Sequence, residues 1–228
     1  MGLPRLALSA AVVALLAAGC EDDPSAPGPA RDQALIQRAA VGALGEVERL
    51  LDEGADVTAT DEAGRTALVA AAYGNHVDVA QALVEAGADV NVEDDSQQSA
   101  FLIATSEVGD DPRLLELTLG NGADVDAKDS YNGTGLIRAA DRGFVRIVRR
   151  LLDTEMDADH VNRLGWTALL EAVILGDGDS AHTEVVRLLV GEGGVDVTIP
   201  DGQGMTALEH AREKGQDPIV DILERAAG

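Results

Sequence analysis

The chain has 228 residues and a formal net charge of −24, with 41 Asp and Glu against 17 Lys and Arg. A chain this acidic repels phosphate backbones and anionic partners, which excludes nucleic acid and leaves basic proteins and cations. Apolar residues make up 46 % of it but aromatics only 2 %, so the interior is expected to be thin layers of Ala, Leu and Val, and a core built around large rings is excluded.

The chain opens with Arg5 and an uncharged apolar run from Leu6 to Ala18. The run is shorter than the roughly 20 residues of a spanning helix and has the size of the apolar centre of an export signal. It ends in Leu16-Ala-Ala-Gly19-Cys20, and Cys20 is the only cysteine. Small residues before a lone Cys resemble the bacterial lipoprotein signal, although Ala17 stands where that signal usually has Leu. The resemblance implies a signal peptide over 1–19, lipidation of Cys20, and a lipid-anchored, periplasm-facing protein in the bacterial envelope, with inner or outer membrane left open. A free thiol on an exported chain is a liability, whereas a multiply acylated one provides the several chains that stable anchoring needs. Residues 20–31 are then the lipidated Cys and an extended tether rich in Pro and Asp.

From residue 32 onward the sequence repeats. Gly-Ala-Asp-Val occurs at Gly54–Val57, Gly87–Val90 and Gly122–Val125, with blurred copies at Glu155–Ala158 and Gly194–Val197. The Asp falls at 56, 89, 124, 157 and 196, in steps of 33, 35, 33 and 39. A second phrase keeps the same steps: Thr66-Ala-Leu, Ser99-Ala-Phe, Thr134-Gly-Leu, Thr167-Ala-Leu and Thr206-Ala-Leu. Two markers on one uneven period mean a stack of similar units, each burying its apolar face on its neighbours.

Residues 61–93 show one unit. Asp61-Glu-Ala-Gly64-Arg65 carries turn chemistry, and Thr66 can cap a helix over Ala67 to Tyr73. Gly74-Asn75 ends that helix. Val79, Ala80, Leu83 and Val84 then form the stripe of a second helix buried on one side. Neither helix reaches the ~12–15 residues that hold alone in water, so the stack must supply the stability.

This turn–helix–helix unit resembles the ankyrin repeat. The resemblance rests on Asp/Asn–x–x–Gly–x–Thr (Asp61 to Thr66, Asn162 to Thr167, Asp201 to Thr206), on the paired alanines Ala71-Ala72 and Ala139-Ala140, and on Gly-Ala-Asp-Val. It implies an all-α solenoid of about six helix–turn–helix units joined by β-turn or hairpin loops over 32–228. The units run at about 32–64, 65–97, 98–132, 133–165, 166–204 and 205–228, the first and last being caps. The family's Pro after Thr is Ala or Gly here, and its following His is Val69, Leu102, Ile137, Leu170 and Glu209. The usual Thr–His bridge is therefore absent, and a softer stack is expected. Extra residues near Val108–Asp111 and between Gly176 and Thr183 map to loops.

Signals for catalysis are weak. His76, His160, His182 and His210 sit in different units, no His-Glu-x-x-His or Cys pair occurs, and no phosphate loop or nucleophile elbow is present. No catalytic residue, metal or cofactor is expected. The acidic insertion 177–184 (Asp177-Gly-Asp179-Ser-Ala-His-Thr-Glu184) carries a second reading, a calcium-binding or small hydrolytic site, but it lacks the ligand spacing of a calcium loop. The cluster Arg138, Arg142, Arg146, Arg149 and Arg150 reads as cations neutralising acidic neighbours.

The resemblance places the partner-binding surface on a concave face made by turn tips and exposed inner-helix positions. Carried onto this sequence, it selects Arg65, Tyr73, Tyr131, Arg142, Arg163, Leu164, Trp166, Ile174, Leu175 and Met205. Aromatic and Arg side chains are the usual energetic anchors of interfaces. The expected function is a non-catalytic protein–protein interaction module, monomeric, tethered by Cys20, with a protein as partner.

Overall fold

The computed structural model describes residues 28–227, in which twelve helices form six successive pairs. The first helices of the pairs are α1 (Gly28–Ala40), α3 (Ala67–Tyr73), α5 (Ala100–Ser106), α7 (Gly135–Asp141), α9 (Ala168–Ile174) and α11 (Ala207–Glu213). The second helices are α2 (Leu44–Asp52), α4 (Val77–Glu85), α6 (Arg113–Gly120), α8 (Val145–Leu152), α10 (Ser180–Gly191) and α12 (Asp217–Ala227). Each first helix packs on the first helix of the next pair, from α1 through α11, and each pair is closed by its own second helix. This is the all-α solenoid the repeat period predicts. Among the described residues no strand is present beyond a single bridge between Lys128 and Thr134, and no helix is long and apolar enough to cross a membrane.

The Thr phrase starts the inner helices. Thr66, Ser99, Thr134, Thr167 and Thr206 are N-caps, and each hydroxyl accepts the amide N–H three residues on, from Val69, Leu102, Ile137, Leu170 and Glu209. Such caps are worth roughly 1 kcal/mol each, a large share of the stability of a seven-residue helix. Val69, Leu102, Ile137 and Leu170 offer no side-chain bridge to the cap, but their backbone amides hold the helix start; in the last unit the Glu209 carboxylate also accepts the Thr206 amide and hydroxyl, closing a capping box. Paired alanines let the layers close up: Ala71, Ala72, Ala139 and Ala140 are fully buried. Phe101 is the largest side chain fully enclosed by the core. Gly42 shows how tightly the pairs fit, since its φ is +72° and a Cβ there would lie 2.5 Å from the His76 ring of the next pair.

Two features depart from the sequence reading. Helix α1 begins at Gly28, inside the stretch 20–31 expected to be extended. Docking supplies the reason: Leu35, Ile36 and Ala39 are buried, Arg31 Nη1 donates to the Glu53 carbonyl at 2.8 Å, and Asp32 accepts the Asp56 amide at 2.8 Å. Pro29 is tolerated because a first turn needs no amide donor. The leader and Cys20 lie outside the described residues. The insertions, expected as loops, join neighbouring pairs. Asp110 accepts the amides of Arg146 (2.8 Å) and Ile147 (3.0 Å) at the start of α8. Gly176 accepts Gln216 Nε2 (2.8 Å) and Lys214 Nζ (2.7 Å) from the sixth pair.

Candidate functional site

Each of the five hairpin tips is organised by one side chain. Asp61 accepts the amides of Ala63 and Arg65, Asp94 those of Ser96 and Gln98, and Asp129 those of Tyr131 and Gly133. Asn162 accepts from Leu164 and Trp166, and Asp201 from Gln203 and Met205. One oxygen thus fixes the turn, and at four of the five tips the second polar atom reaches a helix, while at the first it holds Arg65 within the turn. Asp61 Oδ2 takes Arg65 Nε at 2.8 Å, and Asp94 Oδ2 takes the Tyr73 hydroxyl at 2.9 Å. Asp129 Oδ2 takes Arg138 Nη1 at 2.8 Å, Asn162 Nδ2 donates to Glu171 Oε1 at 2.7 Å, and Asp201 Oδ2 pairs with His210 Nε2 at 2.8 Å.

Between the tips of the fourth and fifth pairs and the inner helices α5, α7 and α9 lies a cavity of about 350 Å³. Tyr131, Leu164 and Leu175 line it and are 63, 52 and 49 % exposed, among the most exposed large apolar groups described. Its polar lining is Arg138, Glu171 and Asn162, with Glu107, Asp129, Asp141 and Arg142. Arg138 is fully engaged: it pairs with Asp129 and, at 3.1 Å, with Glu107, and its Nε donates to the Ser106 hydroxyl at 2.9 Å. Arg142 stands half-exposed, 3.8 Å from Asp141.

Glu171 is the exceptional group. It is only 5 % exposed, and its pKa is pushed up to about 7, chiefly by burial, with Asp141 and Asp129 adding to the effect and the Asn162 hydrogen bond opposing it. Asp94 goes the other way. Burial raises its pKa, but hydrogen bonds from Ser96, Gln98 and Tyr73 together outweigh that and leave it below the ordinary carboxylate value. Donors decide between the two, because several N–H and O–H groups favour the ionised form of Asp94 against burial, whereas the single amide at Glu171 does not offset its burial.

The structure brings together four of the residues selected from sequence: Tyr131, Arg142, Leu164 and Leu175 share the cavity. Arg163 stands beside them, bonded to the Ser130 carbonyl and by its backbone to Tyr131. Trp166 and Ile174 do not join them; both are half-buried and packed on the core. Met205 is half-buried at the last tip. Tyr73 is 40 % exposed and turned to Asp94. Arg65 lies at a separate hollow near the N-terminal end, with Gln33 and Gln37.

Arg138 and Glu171, which form the polar floor, were not selected. The available signal is a charge in the middle of an apolar inner helix, Leu136-Ile137-Arg138-Ala139 and Leu169-Leu170-Glu171-Ala172, nine residues after a turn Asp or Asn. Of the other arginines of the cluster, Arg150 pairs with Glu116 and Arg149 with Glu184, while Arg146 bonds the Asp110 carbonyl. The acidic insertion 177–184 does not form a cage: Asp179 caps α10 through the His182 amide, and among the described residues no three His, Cys, Asp or Glu side chains converge on one point.

The family model of ankyrin repeats (3 copies) matches residues 6–94 and 101–201, its first span overlapping the stretch read as an export signal. The putative ankyrin repeat protein YahD of Escherichia coli (strain K12) is 36 % identical over 183 residues, covering 80 % of this chain and 90 % of that protein. The crystal structure of an ankyrin repeat domain from Acinetobacter baumannii AYE is 40 % identical, with a TM-score of 0.80 over 85 % of this chain and 97 % of that one. A second crystal structure, of another ankyrin repeat protein, is 32 % identical with a TM-score of 0.78 over 85 and 98 %.

Proposed function

Since this chain belongs to the ankyrin repeat family, whose repeats are protein–protein interaction modules, we propose that it is a non-catalytic, monomeric adaptor. On this reading it is held in the bacterial envelope by a lipid on Cys20 and grips a protein partner with its hollow face. The observation that carries the binding site is the cavity edge. Tyr131, Leu164 and Leu175 each keep about half their surface or more in solvent, beside Arg138 and Glu171 that fix the floor. Exposed aromatic and aliphatic groups around a preformed polar recess are what an interface anchor needs. No pair of groups in the recess has the nucleophile–base geometry of a catalytic site; Arg138 is paired and Glu171 is hydrogen-bonded to an amide.

The test is site-specific photo-crosslinking in intact cells. A photoreactive residue at 164 should give one discrete adduct, and the same residue at the distant exposed Arg225 should give none. Tyr131→Ala with Leu175→Ala should abolish the adduct without changing the melting temperature. Equal adducts at both sites would defeat the proposed face. For the anchor, Cys20→Ser should move the protein from the membrane to the soluble fraction; retention on the membrane would defeat the lipid assignment.

A further inference from the structure

The lining of the central cavity defines the chemistry of what enters it. Four carboxylates line it (Glu107, Asp129, Asp141 and Glu171) against two guanidiniums. Arg138 is spent on Asp129, Glu107 and Ser106, which leaves the cavity acidic. Glu171 is the deepest of the four, 5 % exposed. Its Oε1 takes the Asn162 amide, and that amide is oriented because Asn162 Oδ1 already accepts two turn N–H groups. Among the described residues nothing donates to Glu171 Oε2. Oε2 is therefore the oxygen that opens into the recess, and a carboxylate so poorly solvated is costly when ionised unless a cation meets it. The rim around it is apolar: Tyr131, Leu164 and Leu175 can cover the methylene stem of a long basic side chain while its charged end goes inward.

We infer that this cavity receives a single basic side chain, a lysine ammonium or an arginine guanidinium, projected by the partner protein onto Glu171. The inference rests on the binding face assigned above and names the chemistry that face recognises. The partner's cation replaces the donor that Glu171 Oε2 lacks, and the net charge of −24 steers a basic segment toward the face. An acidic segment is disfavoured, since Arg142 is the one cation of the lining that Glu107, Asp129 and Ser106 do not hold.

Because a cation binds the ionised carboxylate, capture releases the proton that Glu171 carries near neutrality, and affinity should rise with pH through its titration. The other charges packed around α9 are accounted for. On α7 and its turn, Asp129, Arg138, Asp141 and Arg142 form the lining itself; on α10, His182 pairs with Asp179 and the Asp141 carbonyl. On α11, His210 pairs with Asp201, and Lys214 is bonded to carbonyls at the end of α9.

The experiment titrates the full-length protein with N-acetyl-arginine methylamide, N-acetyl-lysine methylamide and the uncharged citrulline analogue, following backbone amide shifts. The two cations should give saturable shifts centred on Tyr131, Leu164 and Leu175, and citrulline should bind at least fivefold more weakly. Glu171→Gln should weaken arginine binding at least fivefold at pH 8 and change it little at pH 5.5, whereas Asp52→Asn on the outer layer should change nothing. Melting curves report whether Glu171→Gln folds; Leu164→Ser, at an exposed position, carries the same test if it does not, and should also weaken binding. Citrulline binding as well as arginine, shifts that spread over the acidic surface without saturating, or undiminished binding by Glu171→Gln would each overturn the inference. If the photo-adduct at 164 persists while cation binding fails, the face stands and only its assigned chemistry falls.

Discussion

The second and third pairs differ from the last three at one position, nine residues after the turn Asp or Asn. It is Ala70 and Ile103 in the former, both buried apolar groups, and Arg138, Glu171 and His210 in the latter. In the N-terminal pairs the inner helices are sealed; every residue of α5 is buried. In the C-terminal pairs the side chain at this position leaves the core and bonds back to the turn, Arg138 to Asp129, Glu171 to Asn162 and His210 to Asp201. The Thr caps and turn hydrogen bonds are the same in both regions. One repeat backbone therefore accepts either an apolar seal or a polar bridge, and the cavity lies where two such bridges stand side by side. The turn residue has adapted as well: opposite Glu171 it is Asn162, an amide that can donate, where the other four tips carry Asp.

Transferring the polar bridge to the sealed region should have the largest effect. Ile103→Glu puts a carboxylate at a fully buried site whose turn residue is Asp94, and it should cost roughly 4 kcal/mol or more by urea unfolding. A stable Ile103→Glu protein would mean that the two regions are interchangeable. Second comes the removal of the charge at Glu171. Its folded pKa of about 7 lies above its ordinary value of 4.5, so the folded state binds the proton more tightly. Its contribution to stability is complete below about pH 4.5, falls as the pH rises toward 7, and is level above that. Glu171→Gln should therefore gain up to about 3 kcal/mol over wild type at pH 8 and nearly nothing at pH 4, read as the difference between two thermal-melt series. A constant difference across pH would contradict the burial argument.

Asn162→Asp should be milder, about 1–2 kcal/mol at pH 8, because Glu171 can keep its proton and donate it to the new carboxylate. The loss should shrink as the pH falls to 5.5, whereas the opposite exchange Asp94→Asn should show no such pH dependence, since the Tyr73 hydroxyl faces it instead. The smallest effect is backbone relief. Gln97 holds φ +60° where the tips preceding the second, fifth and sixth pairs have Gly64, Gly165 and Gly204. Gln97→Gly should gain roughly 0.5 kcal/mol, the left-handed penalty less the entropy of glycine, visible as a slight rise in the urea midpoint.

Much of this architecture could be read from residues in order. The Thr phrase marks five helix starts because a hydroxyl before an Ala-Leu run has one efficient use, to accept the amide three residues on. Tyr131, Leu164 and Leu175 could be placed on the open face because the repeat register assigns turn tips and helix ends. Trp166 could not be separated from them by register, since a ring at a tip can turn either way, and here it packs on the core. Residues 28–31 read as tether because Gly28-Pro-Ala-Arg31 has the composition of a linker; the start of α1 there shows only in its contacts, Arg31 to the Glu53 carbonyl and Asp32 to the Asp56 amide. The insertions also looked like free loops, because their partners Arg146, Lys214 and Gln216 come from the following units.

The sequence alone therefore determined the period, the helix pairs, the caps and the face that stays open, all of which depend on spacings within about 40 residues of chain. The tertiary structure alone decided which polar side chains meet, and so where the cavity lies and which carboxylate it holds away from water. Glu171 reads as an ordinary acid until Asn162, Asp129 and Asp141 are set around it. Its proton affinity comes from lost solvation and from nearby charges, and those are properties of the packed arrangement.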